Sequence, residues 1–343
     1  VRAKAKIATE WLRRPRQQHP DRSVAEFVED HFGREVNEYL AQPMLAGVYG
    51  GSPENLSVNS VLPTFVDLER RHGSLARGML RNRAAASGSK LNDPQGKRQP
   101  LFLTLKHGMR QLVDALAERI EGRVRLVTGT VRALEGGRGD FRLRADSEIV
   151  ESDEVILATP AYQAAELTEA HDPRLAKRLG AITYTSSITA SLLYPRRLFD
   201  HPLDGFGFLV PRTEGMRLTA CTWVNTKFPE RVSADRVLLR AFLAGEQAEA
   251  ARDQPDERVA ALVHEQLSAL MGFRVDPVDW RLYRWPRAMA QYEVGHKDRI
   301  DEIQSRLEQI PGLHLAGNAY TGIGIPDCIR RSKNLAEKIA AAG

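Results

Sequence analysis

The sequence predicts a mixed α/β (α+β) fold, and three stretches predict it. Glu154-Val155-Ile156-Leu157-Ala158 is a short apolar run of the kind found in a buried parallel strand; it ends at Thr159-Pro160, and a helix follows from Ala161. Ser187 to Leu193, Gly205 to Val210, Leu218 to Val224 and Val237 to Leu243 are strand candidates separated by turns, which points to an antiparallel or mixed sheet. At the end of the chain, Leu313-His314-Leu315-Ala316-Gly317 reads as a short buried strand. A glycine-bearing loop follows, and Pro326-Asp327 opens a helix.

Taken in order, residues 23–45 are helical by spacing, with Ser23 and Glu26 as a capping pair and Gly33 dividing the run. Ala46-Gly47-Val48-Tyr49-Gly50-Gly51-Ser52-Pro53 reads as a glycine-dense turn, where the backbone can approach another group closely. Residues 59–72 form a further helix capped by Asn59 or Ser60, and residues 84–100 a mobile surface loop. An amphipathic helix carries Met109, Leu112, Val113, Leu116 and Ile120 on one stripe. Strands are expected at Val124 and Leu126, at Val131 to Leu134, and around Phe141 and Leu143. Helices are expected over 255–271 and 297–310, with a strand at 278–285 between them. The last helix shows an apolar face of Ile325, Ile329, Ala336 and Ile339.

The bulk numbers narrow the class. At 343 residues, with 42% hydrophobic and 27% charged, the chain suits two ordinary globular domains. No apolar run approaches the roughly 20 residues that cross a bilayer. A net charge of +5 comes from scattered basic residues, so we read it as composition rather than as a nucleic-acid surface, for which no motif is present. Cys221 and Cys328 have no metal or C-x-x-C spacing, which fits a reducing compartment. His107, His264, His296 and His314 are isolated, so no metal site is expected. The opening Val1 and the polar helical stretch after it lead us to expect a start inside a longer reading frame, with no signal peptide.

The terminal strand, loop and helix carry the most chemistry. A helix N-terminus presents unsatisfied N–H groups and about half a positive charge, which can hold a pyrophosphate or stabilise charge on a reduced ring. Gly322 and Gly324 allow the backbone to lie flat against a planar cofactor. From these residues alone, an ordinary βα turn is an equally good reading.

Resemblance adds to this. The segment L-A-G-N-A-Y-T-G-I-G-I-P-D-C-I, Leu315 to Ile329, closely resembles the C-terminal flavin-binding signature of bacterial protoporphyrinogen and coproporphyrinogen oxidases. The resemblance continues through Leu45 to Ser57, Leu103 to Met109, Val155 to Pro160, Gly205 to Pro211, Cys221-Thr222-Trp223 with Phe228-Pro229, and Arg284 to Tyr292. It spans about Ser23 to Ile339 and departs from the family at His107, usually Gly, and at Ala290, usually Pro. The family's G-x-G-x-x-G unit and its propionate-binding arginine have no counterpart here.

The resemblance implies a Rossmann-like FAD/NAD(P)-binding domain, incomplete at its N-terminus, with an interleaved substrate sheet and a helical, membrane-associating insertion. It divides the chain into a mainly helical insertion and substrate region over 1–100, FAD-binding parts over 101–165 and 291–343, and a substrate domain over 166–290. It implies FAD contacts at Val131, Ala158, Thr159, Trp285, Met289, Gly317, Ile323, Gly324, Ile325, Pro326, Asp327 and Cys328. Substrate contacts fall on the Gly47 carbonyl, Phe206, Leu209 and Trp223; without the resemblance, Trp223 reads as core. The implied reaction is oxidation of a porphyrinogen by FAD and dioxygen, with no side chain assigned as acid or base. The implied setting is the cytoplasm, with peripheral contact on the inner membrane face and a homodimer as further expectations. A carotenoid desaturase, an amine oxidase or a non-catalytic binding fragment is the alternative. Protoporphyrinogen IX and coproporphyrinogen III, which differ in vinyl against propionate groups, are both open.

Overall fold

Ser23 opens the first long helical run through a capping box. Its hydroxyl accepts from the Glu26 N–H at 3.1 Å, and the Glu26 carboxylate accepts from the Ser23 N–H at 2.9 Å. The computed structural model describes residues 2–15, 20–86, 103–146 and 148–342. The helix Val24–Phe32 stops at Gly33, at φ 93°, as the spacing predicts. Helical structure resumes through Arg34–Val36, a π-helical turn Asn37–Ala41 and Gln42–Tyr49. The expected turn at Ala46 to Pro53 thus starts later: Ala46 to Tyr49 are helical, and Gly50 ends the helix in the left-handed region at φ 64°.

Val58–Val61 and Pro63–His72 follow. The cap is Ser57, not Asn59 or Ser60, because its hydroxyl accepts from the Ser60 N–H at 3.0 Å. The helix Leu75–Ala86 has no counterpart in the sequence reading. It takes in the first residues of the loop expected at 84–100, and the remainder of that loop, from residue 87, lies outside the described residues.

Among the described residues the strands form three sheets. β1 (Val131–Glu135), β2 (Phe141–Ala145) and β3 (Ile149–Ser152) make an antiparallel meander. Val124 and Leu126 form no strand; they stand 51% and 71% exposed in irregular chain after the helix Arg110–Ile120. β4 (Val155–Leu157) feeds the helices Ala161–Thr168 and Pro173–Gly180. β5 (Tyr184–Pro195), β6 (Gly207–Leu209), β7 (Ala220–Trp223), β8 (Arg236–Ala244) and β9 (Asp279–Ala290) form one antiparallel sheet in the order β6-β7-β8-β5-β9. β10 (Leu313–Leu315) returns to pair in parallel with β4.

Period-two patterning decides the packing of the large sheet. In β5 and β8 every second residue is buried: Ile188, Ala190, Leu192 and Tyr194 beside Val237, Leu239, Ala241 and Leu243. These meet Val259, Val263 and Leu267 of the helix Asp256–Met271 in one core cluster. Each fully buried Val, Leu or Ile side chain there contributes about 1.5–3 kcal/mol. The opposite face of the sheet is half-buried, as an antiparallel sheet permits, and the helix Gln42–Tyr49 crosses it beside β6 and β8. A second core joins the helical segments to β4, β10 and the helix His296–Leu307.

Two apolar stripes read from the sequence are not buried. Met109, Val113, Leu116 and Ile120 are all exposed, and the last helix, Ile325–Ala342, leaves Ile325 and Ile329 exposed. Among the described residues no helix is long and apolar enough to cross a membrane.

Candidate cofactor and substrate site

The carboxyl ends of β4 and β10 lie side by side, because Leu157 pairs with Leu315 and the Ala316 N–H donates to the Leu157 carbonyl at 3.0 Å. Ala158 and Thr159 leave one strand and Gly317 the other. Gly317 has φ 120°, and a Cβ there would stand 3.9 Å from the Ala158 carbonyl oxygen. The Thr159 hydroxyl is buried without a partner. Such a donor in a native interior has a reason.

From Gly317 the chain runs through Gly322, at φ 76°, to Ile323, Gly324 and the N-terminus of the helix Ile325–Ala342. Pro326 suits the first turn, whose N–H groups have no carbonyl partners, and Asp327 brings a carboxylate to the positive helix end. A Cβ at Gly322 would stand 2.7 Å from the Asp327 side chain, and one at Gly324 3.2 Å from its carboxylate. The turn folds closely over Asp327 because Gly322 lacks a side chain, while Gly324 leaves the carboxylate room. Cys328 sits behind it, donating its N–H to the Gly324 carbonyl at 3.0 Å.

A second cluster forms where the helix Gln42–Tyr49 crosses the open face of the large sheet. A cavity of about 300 Å³ there is lined by Gly47, Phe242, Thr189, Trp285 and Met289, among others. Leu209 borders Gly47, with its Cδ2 3.9 Å from where a Gly47 Cβ would be. Gly47 is the third residue from the end of its helix, and among the described residues no donor reaches its carbonyl. A larger cavity, about 540 Å³, adjoins this one and shares Ala46, Thr219 and Ala244 with it. A register shift between Thr185 and Ser187 turns the end of β9. Arg287, at φ 45°, sits in that irregular stretch and donates its N–H to the Ser186 hydroxyl at 3.0 Å, while its guanidinium covers the Tyr162 ring at 3.8 Å.

The structure thus gathers Gly47, Leu209, Trp285 and Met289 about one cavity, and Ala158, Thr159, Gly317 and Ile323 to Cys328 about the strand ends. It does not bring in the rest. Val131 begins a separate sheet, and Phe206 stands 68% exposed just before β6. Trp223 is a correction: it faces the closed side of the sheet, is 8% exposed and packs in the core against His201. Its neighbour Thr222 faces the open side instead, because Thr222 pairs with Arg240 and Trp223 with Leu239. The aromatic residues on the open face are Phe242, Tyr283 and Trp285, and alternation along β8 and β9 was the signal that marks them.

Burial pushes the phenols of Tyr292 and Tyr320 up, so both stay protonated. Tyr292 donates to the Asn318 carbonyl at 2.7 Å, which pins the loop between β10 and the last helix.

The profile of the family described as flavin containing amine oxidoreductase matches residues 3–340. The chain belongs to that family. Its cofactor is FAD. Among its family relatives, the coproporphyrinogen III oxidase of Bacillus subtilis (strain 168) is 31% identical over 332 residues, covering 96% of this chain and 70% of the relative. Protoporphyrinogen oxidase 1 of Arabidopsis thaliana, a chloroplast protein, is 28% identical and covers 92% of this chain and 62% of its own length. A crystal structure from Exiguobacterium sp. 255-15, provisionally assigned as a protoporphyrinogen oxidase, superposes with a TM-score of 0.80 at 27% identity, over 100% of this chain and 72% of that one. Putrescine oxidase shares the fold, with a TM-score of 0.63 at 16% identity. The described residues fit the family's cofactor at the strand ends: an orphaned Thr159 hydroxyl, a bare Gly317 backbone and a free helix N-terminus that begins at exposed Ile325 suit a polar-edged planar ring.

Proposed function

We propose that this chain takes part in heme biosynthesis by oxidising a porphyrinogen. The observation that carries the reading is its 31% identity to a coproporphyrinogen III oxidase over 96% of its own length. FAD would supply two-electron oxidation here: each round would take one hydride from a ring carbon and one proton from the porphyrinogen and deliver them to dioxygen as hydrogen peroxide, so three rounds would remove six electrons and six hydrogens and give three hydrogen peroxide molecules. Ala158, Thr159, Gly317 and the residues Ile323 to Cys328 hold the flavin, with Val131 toward its adenine end and Trp285 and Met289 beside its ring. The Gly47 carbonyl accepts from the pyrrole N–H groups, and Leu209 walls the ring. The role of the side chains is to orient and desolvate, and none acts as acid or base. The stretches 101–165 and 291–343 act as the flavin domain and 166–290 as the substrate domain. Tyr39, Leu40, Met44 and Val48, all more than half exposed on the helical region, support peripheral contact with the cytoplasmic membrane face.

The test is anaerobic mixing of the flavin-loaded protein with coproporphyrinogen III or protoporphyrinogen IX. Loss of the flavin absorbance near its long-wavelength maximum, followed by porphyrin fluorescence when oxygen is admitted, is the expected result. Absorbance unchanged with both substrates overturns the reading.

A further inference from the structure

Register places the open face of the large sheet in rows. Ser191 of β5 pairs with Arg240 of β8 on one side and with Arg281 of β9 on the other, and Arg240 pairs in turn with Thr222 of β7. The next row is Phe242, Thr189 and Tyr283; the one after is Ala244, Ser187 and Trp285. Strand spacing sets the two arginine backbones about 9.5 Å apart and each row about 6.7 Å from the next. A shelf of aromatic and hydroxyl groups, which also lines the cavity beside Gly47, therefore ends in a row bearing two cations and two hydroxyls.

Arg240 is the unusual member. It is half-buried, and no described carboxylate or other acceptor bonds to it. Burial and the nearby Arg231 both disfavour its charge. Arg231 is itself engaged, donating to the Thr104 hydroxyl at 3.1 Å and the Leu105 carbonyl at 2.8 Å. Arg281 is mostly exposed, with Asp279 at 3.6 Å. A guanidinium carries five donors in a planar fork and is costly to leave unpaired in a partly desolvated place. The Arg240 fork suits an anion with two acceptor oxygens.

We propose that Arg240, with Arg281 beside it, binds a carboxylate of the substrate's propionate groups and so favours a tetracarboxylate porphyrinogen over a dicarboxylate one. This rests on the porphyrinogen reading above. The ring lies on the aromatic rows, and a propionate reaches one row further to the guanidinium. Coproporphyrinogen III has a propionate where protoporphyrinogen IX has a vinyl group at two ring positions, so it is the substrate that meets the row in more orientations.

The experiment is a fluorescence titration of the full chain with coproporphyrin III, its tetramethyl ester and protoporphyrin IX, for the wild type, Arg240→Met and Arg240→Lys. The ester keeps the ring and removes the charges. The wild type should bind the free acid more tightly than the ester. Arg240→Met should weaken the free acid roughly tenfold, the loss of one charge-assisted pair, and leave the ester unchanged. Arg240→Lys should recover part of the difference, because it keeps the charge without the fork. A free acid and ester weakened equally by Arg240→Met, or neither affected, overturns the arginine row and leaves the porphyrinogen reading intact. A wild type that binds none of the three overturns both. Unchanged circular dichroism of both variants shows that the comparison concerns folded protein.

Discussion

Tyr292 lies stacked on His296, with ring centroids 4.2 Å apart and planes 13° from parallel. His296 is 1% exposed, its Nε2 donates to the Tyr320 carbonyl at 2.9 Å, and its Nδ1 has no partner. Burial pushes its pKa down to about 4, so the folded protein keeps it neutral. The unfolded chain takes up the proton near pH 6.5. Between those values the unfolded state binds more protons, so stability falls as pH drops from 6.5 toward 4, by about 3 kcal/mol in all. Urea unfolding at pH 7 and pH 5 should show about 2 kcal/mol of this loss, and His296→Phe, which keeps the stack, should flatten it.

Gly51 touches a hydrogen-bonded joint. A Cβ there would lie 1.9 Å from Gln291 Oε1. Gln291 is buried, and its amide donates to the Tyr49 carbonyl at 2.6 Å and to the Thr185 hydroxyl at 3.0 Å, tying the end of the helix Gln42–Tyr49 to the sheet. Gly51→Ala should displace Gln291 and cost roughly 2 kcal/mol, read as a lower thermal midpoint. Gly137→Ala, where nothing lies within 4 Å and φ is not positive either, is the control for replacing a glycine without a clash.

Glu10 caps a helix distant in sequence. Its buried carboxylate accepts from the Ser74 hydroxyl at 2.8 Å, from the Leu75 N–H at 2.6 Å, and faces His31 Nδ1 at 3.1 Å. His31 Nε2 lies 3.1 Å from Glu69, which also receives Arg22 at 2.7 Å. Although burial opposes ionisation, these donors hold the Glu10 carboxyl below its usual range. Glu10→Ala should cost about 3 kcal/mol, since it leaves buried donors unpaired. Hydrogen exchange should show the Leu75 and Ala76 amides losing protection first.

Gly322→Ala should weaken FAD binding. The new Cβ would meet Asp327 at 2.7 Å in a backbone at φ 76°, so the turn must open and carry the helix N-terminus away from the strand ends. A flavin-fluorescence titration should show affinity lower by about tenfold or more. Equal affinity would remove the turn from the flavin site.

What could be read along the chain follows the range of the forces involved. Capping at Ser23, termination at Gly33 and the final strand, turn and helix are local, and each forms where spacing predicts. The cap at Ser57 rather than Asn59, and the helical Gly47, turn on a residue or two of boundary, where competing donors are close in energy. The helix Leu75–Ala86 depends on Glu10, more than sixty positions away, for its first N–H groups. Trp223 is the sharpest case. Its face of the sheet is set by pairing with β8, although the polar Thr222 beside it marks the open side. Resemblance supplies a residue's neighbours in a family but not its parity in a strand.

The row carrying Arg240 has an evolutionary consequence. Inserting or deleting one residue within β8 would turn the guanidinium beneath the helix Asp256–Met271 and push Leu239 into the open. Drift in this strand is therefore confined to substitutions and to length changes in pairs, while the loops at its ends are at liberty to grow by any number.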